Sequence, residues 1–356
     1  MAGPDASTAR VPRHPRGMPR NRPFIFPLRT RRPAAPSQFT PSAHRGQTVE
    51  GGVMARDEVL AWVESPLQLL GAAEWAAAHR LSVPVAGRLT PQMSETADEL
   101  VARRARFSDL EPYLGIPWTL LARHDHWLVG DGYSGQFRLA AAILRPRRIT
   151  FLDDGALAVA YADTLLGRRP YARPGQTERG MTTAVAPFTA ELIRRRANER
   201  RAGMFTAFDL GAERIDALAD RGFDIRRHDF AWTRAAAPVP ADIGRRVVLG
   251  SARPVDGHMM LVDYLRWVRD AAAGDAVYLP HRRETTEQLD AVASLPGIRI
   301  RQTNLPVELV LAGAVGPLDI HTLPSSTVTT LPLVLAGTKA TVLTGRATVS
   351  AGRLAG

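Results

Sequence analysis

Val59-Leu60-Ala61-Trp62-Val63-Glu64-Ser65-Pro66-Leu67-Gln68-Leu69-Leu70 joins five apolar residues to a polar turn and then to a longer apolar stretch. The first five suit a short strand buried on both faces. From 67 to 80 the pattern predicts a helix, with Ser65 as its cap and Pro66 at its first position, where a missing N–H costs nothing. Strand, short turn and helix make half of a β-α-β unit. The same alternation recurs along the chain, which predicts an α/β protein built on parallel sheets.

Working outward, the pattern predicts strands over 83–89, 118–123, 148–152 and 205–210. Helices are expected over 94–107, with Ser94 as cap, over 135–144 and over 189–201. Residues 165–185 show no clear period and read as a long loop. Ala235-Ala236-Ala237-Pro238-Val239-Pro240 clusters residues that end both helices and strands, and reads as a linker. A second alternating block follows, with strands over 247–250, 276–279, 298–301 and 318–323. Its helices are expected over 259–273, 286–294, 307–312 and 327–335. Two Rossmann-like blocks, 54–240 and 241–356, describe two lobes in a GT-B-type architecture with the active site in the cleft between them.

At 356 residues, the chain suits two domains rather than one. Apolar residues make up 45% and charged residues 23%, as in soluble globular proteins. With no cysteine, disulfides and thiolate metal sites are excluded. The net charge of +11 looks like a nucleic-acid signal until it is divided. Residues 1–53 hold nine Arg, no Lys and only two acids, so they carry +7 of it, together with nine of the 27 prolines. That composition cannot bury enough apolar surface to offset its ordering entropy, so this segment is expected to be disordered, with Met54 as the true start. A flexible tail for anionic lipid or nucleic acid is the alternative. No apolar run approaches a bilayer span, which leaves at most peripheral membrane contact.

Three short segments follow predicted strands, where ligands collect in open α/β sheets. The first is Asp153-Asp154-Gly155. A sugar hydroxyl acting as nucleophile needs a base within hydrogen-bond reach, and either acid could supply it. A plain turn cap explains the same residues. The second is Pro280-His281-Arg282-Arg283-Glu284, where His⁺ and an adjacent Arg would stabilise a departing phosphate. The simpler alternative is a solvated loop, with Arg283 paired to Glu284 or Glu287. The third, Pro324-Ser325-Ser326-Thr327, gathers hydroxyls and free N–H groups at a predicted helix start, a ready anion site or an ordinary N-cap.

In that order, these residues resemble the acidic, His-Pro and Ser-Ser/Thr motifs of bacterial CMP-sialic-acid-dependent sialyltransferases, of the lipooligosaccharide and capsular polysialyltransferase kind. The stretch 64–70 is similar to the family's start, and Gly130-Asp131-Gly132-Tyr133-Ser134-Gly135-Gln136-Phe137-Arg138 to its segment before the acidic strand. The resemblance covers roughly 57–336. It implies a CMP-activated sugar as donor, a glycan hydroxyl as acceptor, and inversion by direct displacement without a metal or other cofactor. It further implies Asp153 as base with Asp154 beside it, and His281 assisting CMP departure. Ser325 and Ser326, flanked by Thr327 and Arg282, would hold the phosphate, and Gly155 would make the turn. It places the enzyme in the cytoplasm, at most peripheral to the inner membrane face. Two departures stand out: Arg282 follows His281 where the family has Pro, and 344–356 reads as filler where a final helix is expected, as in a truncated end.

His124-Asp125-His126 offers two metal ligands on one strand face and no third, so a polar strand end is the expectation. Trp62, Trp75, Trp118 and Trp127 are expected to fill core contacts. Within enzymes, the alternative is another nucleotide-sugar transferase or an epimerase on the same frame. From other classes, the alternatives are an inactive structural relative and a nucleic-acid binder acting through its Arg-rich start, although no specific nucleic-acid partner is expected.

Overall fold

The first sheet is built from seven strands: β1 (Val59–Val63), β2 (Val83–Arg88), β3 (Phe107–Tyr113), β4 (His126–Val129), β5 (Arg148–Phe151), β6 (Ala202–Thr206) and β7 (Asp224–Arg227). Their order is β3-β2-β1-β4-β5-β6-β7, and every pairing is parallel. The second sheet holds β8 (Arg246–Leu249), β9 (Ala276–Leu279), β10 (Ile298–Ile300), β11 (Pro317–Thr322) and β12 (Lys339–Thr344), ordered β10-β9-β8-β11-β12 and again all parallel. The computed structural model describes residues 59–345 except 154, 156, 179 and 239–242, and leaves out the side chains of 181 and 182. The protein is α/β, with two Rossmann-like lobes in a GT-B-type arrangement. In both sheets the order reverses beside the first strand of the lobe, between β1 and β4 and between β8 and β11. Such switch points open a crevice at the strands' carboxyl ends.

Central strands read as unbroken apolar runs because both faces are covered. Every residue of β4 and β6 is buried, whereas edge strands β3 and β7 carry Ser, Asp, Glu and Arg and are largely exposed. Charge on an edge also blocks pairing with other chains. Trp62, Trp127 and Phe137 meet edge to face at 6.1–6.4 Å and anchor one side of the first sheet. Ser65 caps the helix Pro66–His79 as expected, and Gln68 completes a capping box by accepting the Glu64 and Ser65 N–H groups.

Several predicted elements shift. The segment Trp118–Ala122 is a helix rather than a strand, because a five-residue apolar run fits either period; the strand is β4. The helix predicted over 94–107 begins earlier, at Pro91–Ala102, capped by Thr90 instead of Ser94, and the end of its predicted span starts β3. The strand predicted over 205–210 lies at β6. The helix Ala212–Asp220, β3, β7 and β12 were not predicted. Trp118 is 39% exposed, while Trp62, Trp75 and Trp127 are buried as expected. The expectations for residues 1–53, the Met54 start, Val239-Pro240 and the chain after 345 lie outside the described residues.

The lobes share more than a connection. Leu309, Ala312 and Val334 of the second lobe lie in one apolar cluster with Leu69, Leu70 and Phe230 of the first. Arg103 donates to the Leu309 carbonyl at 2.9 Å, and Arg234 to the Leu333 carbonyl at 2.6 Å. These contacts hold the facing strand ends together.

Candidate active site

A cavity of about 450 Å³ lies between the lobes and gathers residues far apart in sequence. Ser65, Pro66 and Leu67 enter after β1, and Gly155 after β5. The second lobe contributes Gly250 to Arg253 after β8, Pro280 to Arg283 after β9, and Pro324 to Thr327 after β11. All of these follow strand carboxyl ends: three follow the switch-point strands β1, β8 and β11, and two follow their immediate neighbours β5 and β9. A larger cavity of about 690 Å³ opens by Val59, His126 and Arg148, the first residues of β1, β4 and β5, at the opposite end of the sheet from the motifs.

Gly155 has φ +62°, a left-handed turn that glycine adopts without strain. A Cβ there would stand 3.5 Å from the Ser326 Cβ, so the turn after the acidic strand abuts the hydroxyl cluster of the other lobe. Ser326 occupies the N-cap position of the helix Thr327–Val334, yet makes no side-chain cap bond. The N-cap alternative therefore does not account for its hydroxyl. Ser325 and Thr327 share a hydrogen bond at 2.7 Å, with Thr322 behind Thr327 at 3.3 Å. Hydroxyls beside a helix start can donate to an anion.

His281 accepts the Arg283 N–H on Nδ1 at 3.2 Å, which leaves the proton of a neutral ring on Nε2. Burial, and then the nearby Arg282, hold its pKa below the usual histidine value. The expected His⁺ is thus corrected: the ring is neutral near pH 7, since burial disfavours the cation. Arg282 reaches across the cleft to Gln92 at 3.3 Å. Arg283 pairs with Asp256, not with Glu284 or Glu287. Arg253 of the loop after β8, which sequence reading missed, donates to the Pro324 carbonyl at 3.3 Å.

The acidic motif is placed differently. Asp153 is 2% exposed. Its Oδ1 accepts from the Thr206 hydroxyl, and its Oδ2 accepts from the Ala207 N–H at 2.6 Å and from His228 Nε2 at 3.2 Å. Thr206 ends β6, Ala207 and His228 follow β6 and β7, and nothing in the tripeptide announces them. His228 stacks on Phe205 at 4.7 Å, and its Nδ1 is buried without a partner. Asp154 lies outside the described residues.

The segment 130–138 is fastened by the loop that looked featureless in sequence. Buried Arg138 donates to Glu178 at 2.6 Å and to the Tyr133 carbonyl at 2.9 Å; Asp131 pairs with Arg173. Tyr171 donates its hydroxyl to the Gly132 carbonyl at 2.7 Å. At the other stretch of interest, His124 bonds the Leu120 carbonyl, Asp125 pairs with Arg147, and His126 faces Thr150. Among the described residues, no three His, Asp or Glu side chains gather to hold a metal. No described helix is long and apolar enough to cross a membrane.

The sequence matches no family model and no curated protein. Among solved structures, the UDP-GlcNAc 2-epimerase of Neisseria meningitidis, bound to UDP-GlcNAc, is similar at 12% identity and a TM-score of 0.47, covering 82% of this chain and 83% of that one. MurG of Acinetobacter baumannii is similar at 13% identity and a TM-score of 0.35, covering 82% and 79%. Both are faint likenesses of chain path.

Proposed function

We propose that the protein is a nucleotide-sugar-dependent glycosyltransferase, and more narrowly one that transfers a sialic-acid-type sugar from a CMP donor to a glycan hydroxyl with inversion. The observation that carries this reading is the meeting of Gly155, His281 and Ser325-Ser326 in one inter-lobe cavity, from segments over 170 residues apart. In this reading Ser325, Ser326 and Thr327 donate to the CMP phosphate, and His281 donates through Nε2 as charge grows there. Arg282, at the cavity rim, adds fixed positive charge. Asp153 serves the acceptor hydroxyl, for which one of its donors must give way; His228, at 3.2 Å, is the longest of them. Asp154 assists in orienting the acceptor. The donor is the only small molecule the reaction calls for.

Calorimetric titration with CMP, UMP and UDP tests the donor. Selective CMP binding that Ser325→Ala/Ser326→Ala weakens would support the reading. A preference for UDP would move the chain to another nucleotide-sugar transferase or an epimerase. Absence of binding by the folded protein would favour an inactive relative. For the base, Asp153→Asn should lower turnover by roughly 2–4 powers of ten. Unchanged turnover would remove Asp153 from the chemistry.

A further inference from the structure

Behind the cavity wall lies a carboxylate that the reaction scheme does not use. Glu284 accepts the Tyr278 hydroxyl on both oxygens at 2.9 Å and the His281 N–H on Oε1 at 3.0 Å. The Ser251 N–H is a further donor to it, shared with the Tyr264 hydroxyl at 3.0 Å. Tyr264 and Tyr278 join their hydroxyls at 2.6 Å. Gln288 lies beside Tyr264 and donates Nε2 to the Ser251 carbonyl at 3.0 Å, while its Oε1 is buried without a partner. Glu284 thus ties together two loops that line the cavity, the one at Ser251 and the one at His281. Gly250 lets them pack this closely, since a Cβ there would stand 2.6 Å from the His281 nitrogen.

The titratable and charged groups around Glu284 come from three elements. Tyr278 comes from β9 and Tyr264 from the helix Leu261–Ala272. His281, Arg282 and Arg283 belong to its own loop, and Arg283 is held by Asp256. None of these cations makes a salt bridge to Glu284, and burial lifts its pKa to about 6 against the pull of its hydrogen bonds. A phosphate entering the cavity therefore meets a second negative charge behind the wall.

We propose that Glu284 is a positioning residue for the donor, and that an anionic phosphate in the cavity draws one proton from solvent onto it; this rests on the cavity being the donor site. While ionised, Glu284 accepts from Tyr278, and Tyr278 accepts from Tyr264. Once protonated, Glu284 donates to Tyr278, and Tyr278 turns its own hydrogen toward Tyr264. The His281 N–H keeps its anchor throughout, so the charge is cancelled without releasing the loop. Only an O–H bond forms, and no bond of the ligand changes.

The test is calorimetry of CMP binding in buffers of different ionisation heat, from pH 5 to 8, on the whole protein and on Glu284→Gln. At pH 7 the unaltered protein should take up on the order of 0.5–1 proton more than the variant, a difference that vanishes at pH 5. CMP's own titration cancels in that difference. At saturating CMP, His281→Gln should keep the excess. Equal uptake by both proteins, with CMP bound, overturns the proposal and leaves the donor reading standing. If CMP and UDP fail to bind but pyrophosphate binds with Glu284-dependent uptake, the donor reading falls, and Glu284's positioning of the donor falls with it. Failure of all three to bind a folded protein overturns both. Should Glu284→Gln not fold, Tyr278→Phe removes a donor that lowers the carboxyl's pKa and should move the onset of uptake to higher pH. An unmoved onset would also overturn the proposal.

Discussion

Both lobes set motif residues at the carboxyl ends of their strands, and they treat them in opposite ways. In the first lobe, Asp153 is closed in by Thr206, the Ala207 N–H and His228, so the side chain is part of the packing. In the second, Ser326 leaves its hydroxyl out of the helix cap, and Ser325 and Arg282 are exposed around the cavity. A polar group in the core is tolerated only when its hydrogen bonds are met inside the protein. A group at a cavity can leave them for a ligand. The same strand-end position thus yields a braced carboxylate in one lobe, which must shed a donor before it can serve the acceptor, and an open binding surface in the other.

The largest effect that could break this contrast comes from removing the brace. Asp153→Ala strands three buried donors and should cost about 3–5 kcal/mol, read by chemical denaturation. A loss within about 0.5 kcal/mol would mean that Asp153 is not an internal brace at all. Gly155→Val comes next, because a β-branched residue at φ +62° is strained by about 1–2 kcal/mol. It should lower both melting temperature and CMP affinity, since the turn abuts Ser326. Ser326→Ala should leave stability unchanged and weaken CMP binding by about 3–10-fold, the worth of one hydrogen bond. If it instead destabilised the protein without touching affinity, the two lobes would be alike.

The smallest effect concerns pH. Glu284 holds its proton more tightly in the folded protein, at about 6, than at its ordinary value of 4.5. Its contribution to stability is therefore present below pH 4.5 and is lost as pH rises through 6. Denaturation curves should show this fall in the unaltered protein and a shallower one in Glu284→Gln. Parallel curves would mean that the carboxyl is not raised.

Legibility followed burial. Central strands such as β1 and β9 announce themselves, because burial on both faces demands unbroken apolar runs. Edge strand β3 spaces its apolar residues three apart and matches no strand period, while β12 alternates Lys-Ala-Thr-Val as a half-exposed strand does and was still missed. The stretch Trp-Thr-Leu-Leu-Ala was misread for the opposite reason: it is apolar enough for a strand but too short to show its helical period. Helix starts were readable where Ser65-Pro66 stood together, and the equivalent Thr90-Pro91 was overlooked.

What the sequence by itself determined is the alternation of strand and helix, the two parallel sheets, and the polar segments at strand ends. These follow from local patterning, which needs only neighbouring residues. Tertiary structure alone decided which of those segments meet and in what state. His228 reaches Asp153 across 75 residues, and Ser326 meets Gly155 from the other lobe. Burial then sets the protonation of His281 and Glu284. Water exclusion and charge proximity are properties of the assembled core, and no run of neighbouring residues encodes them.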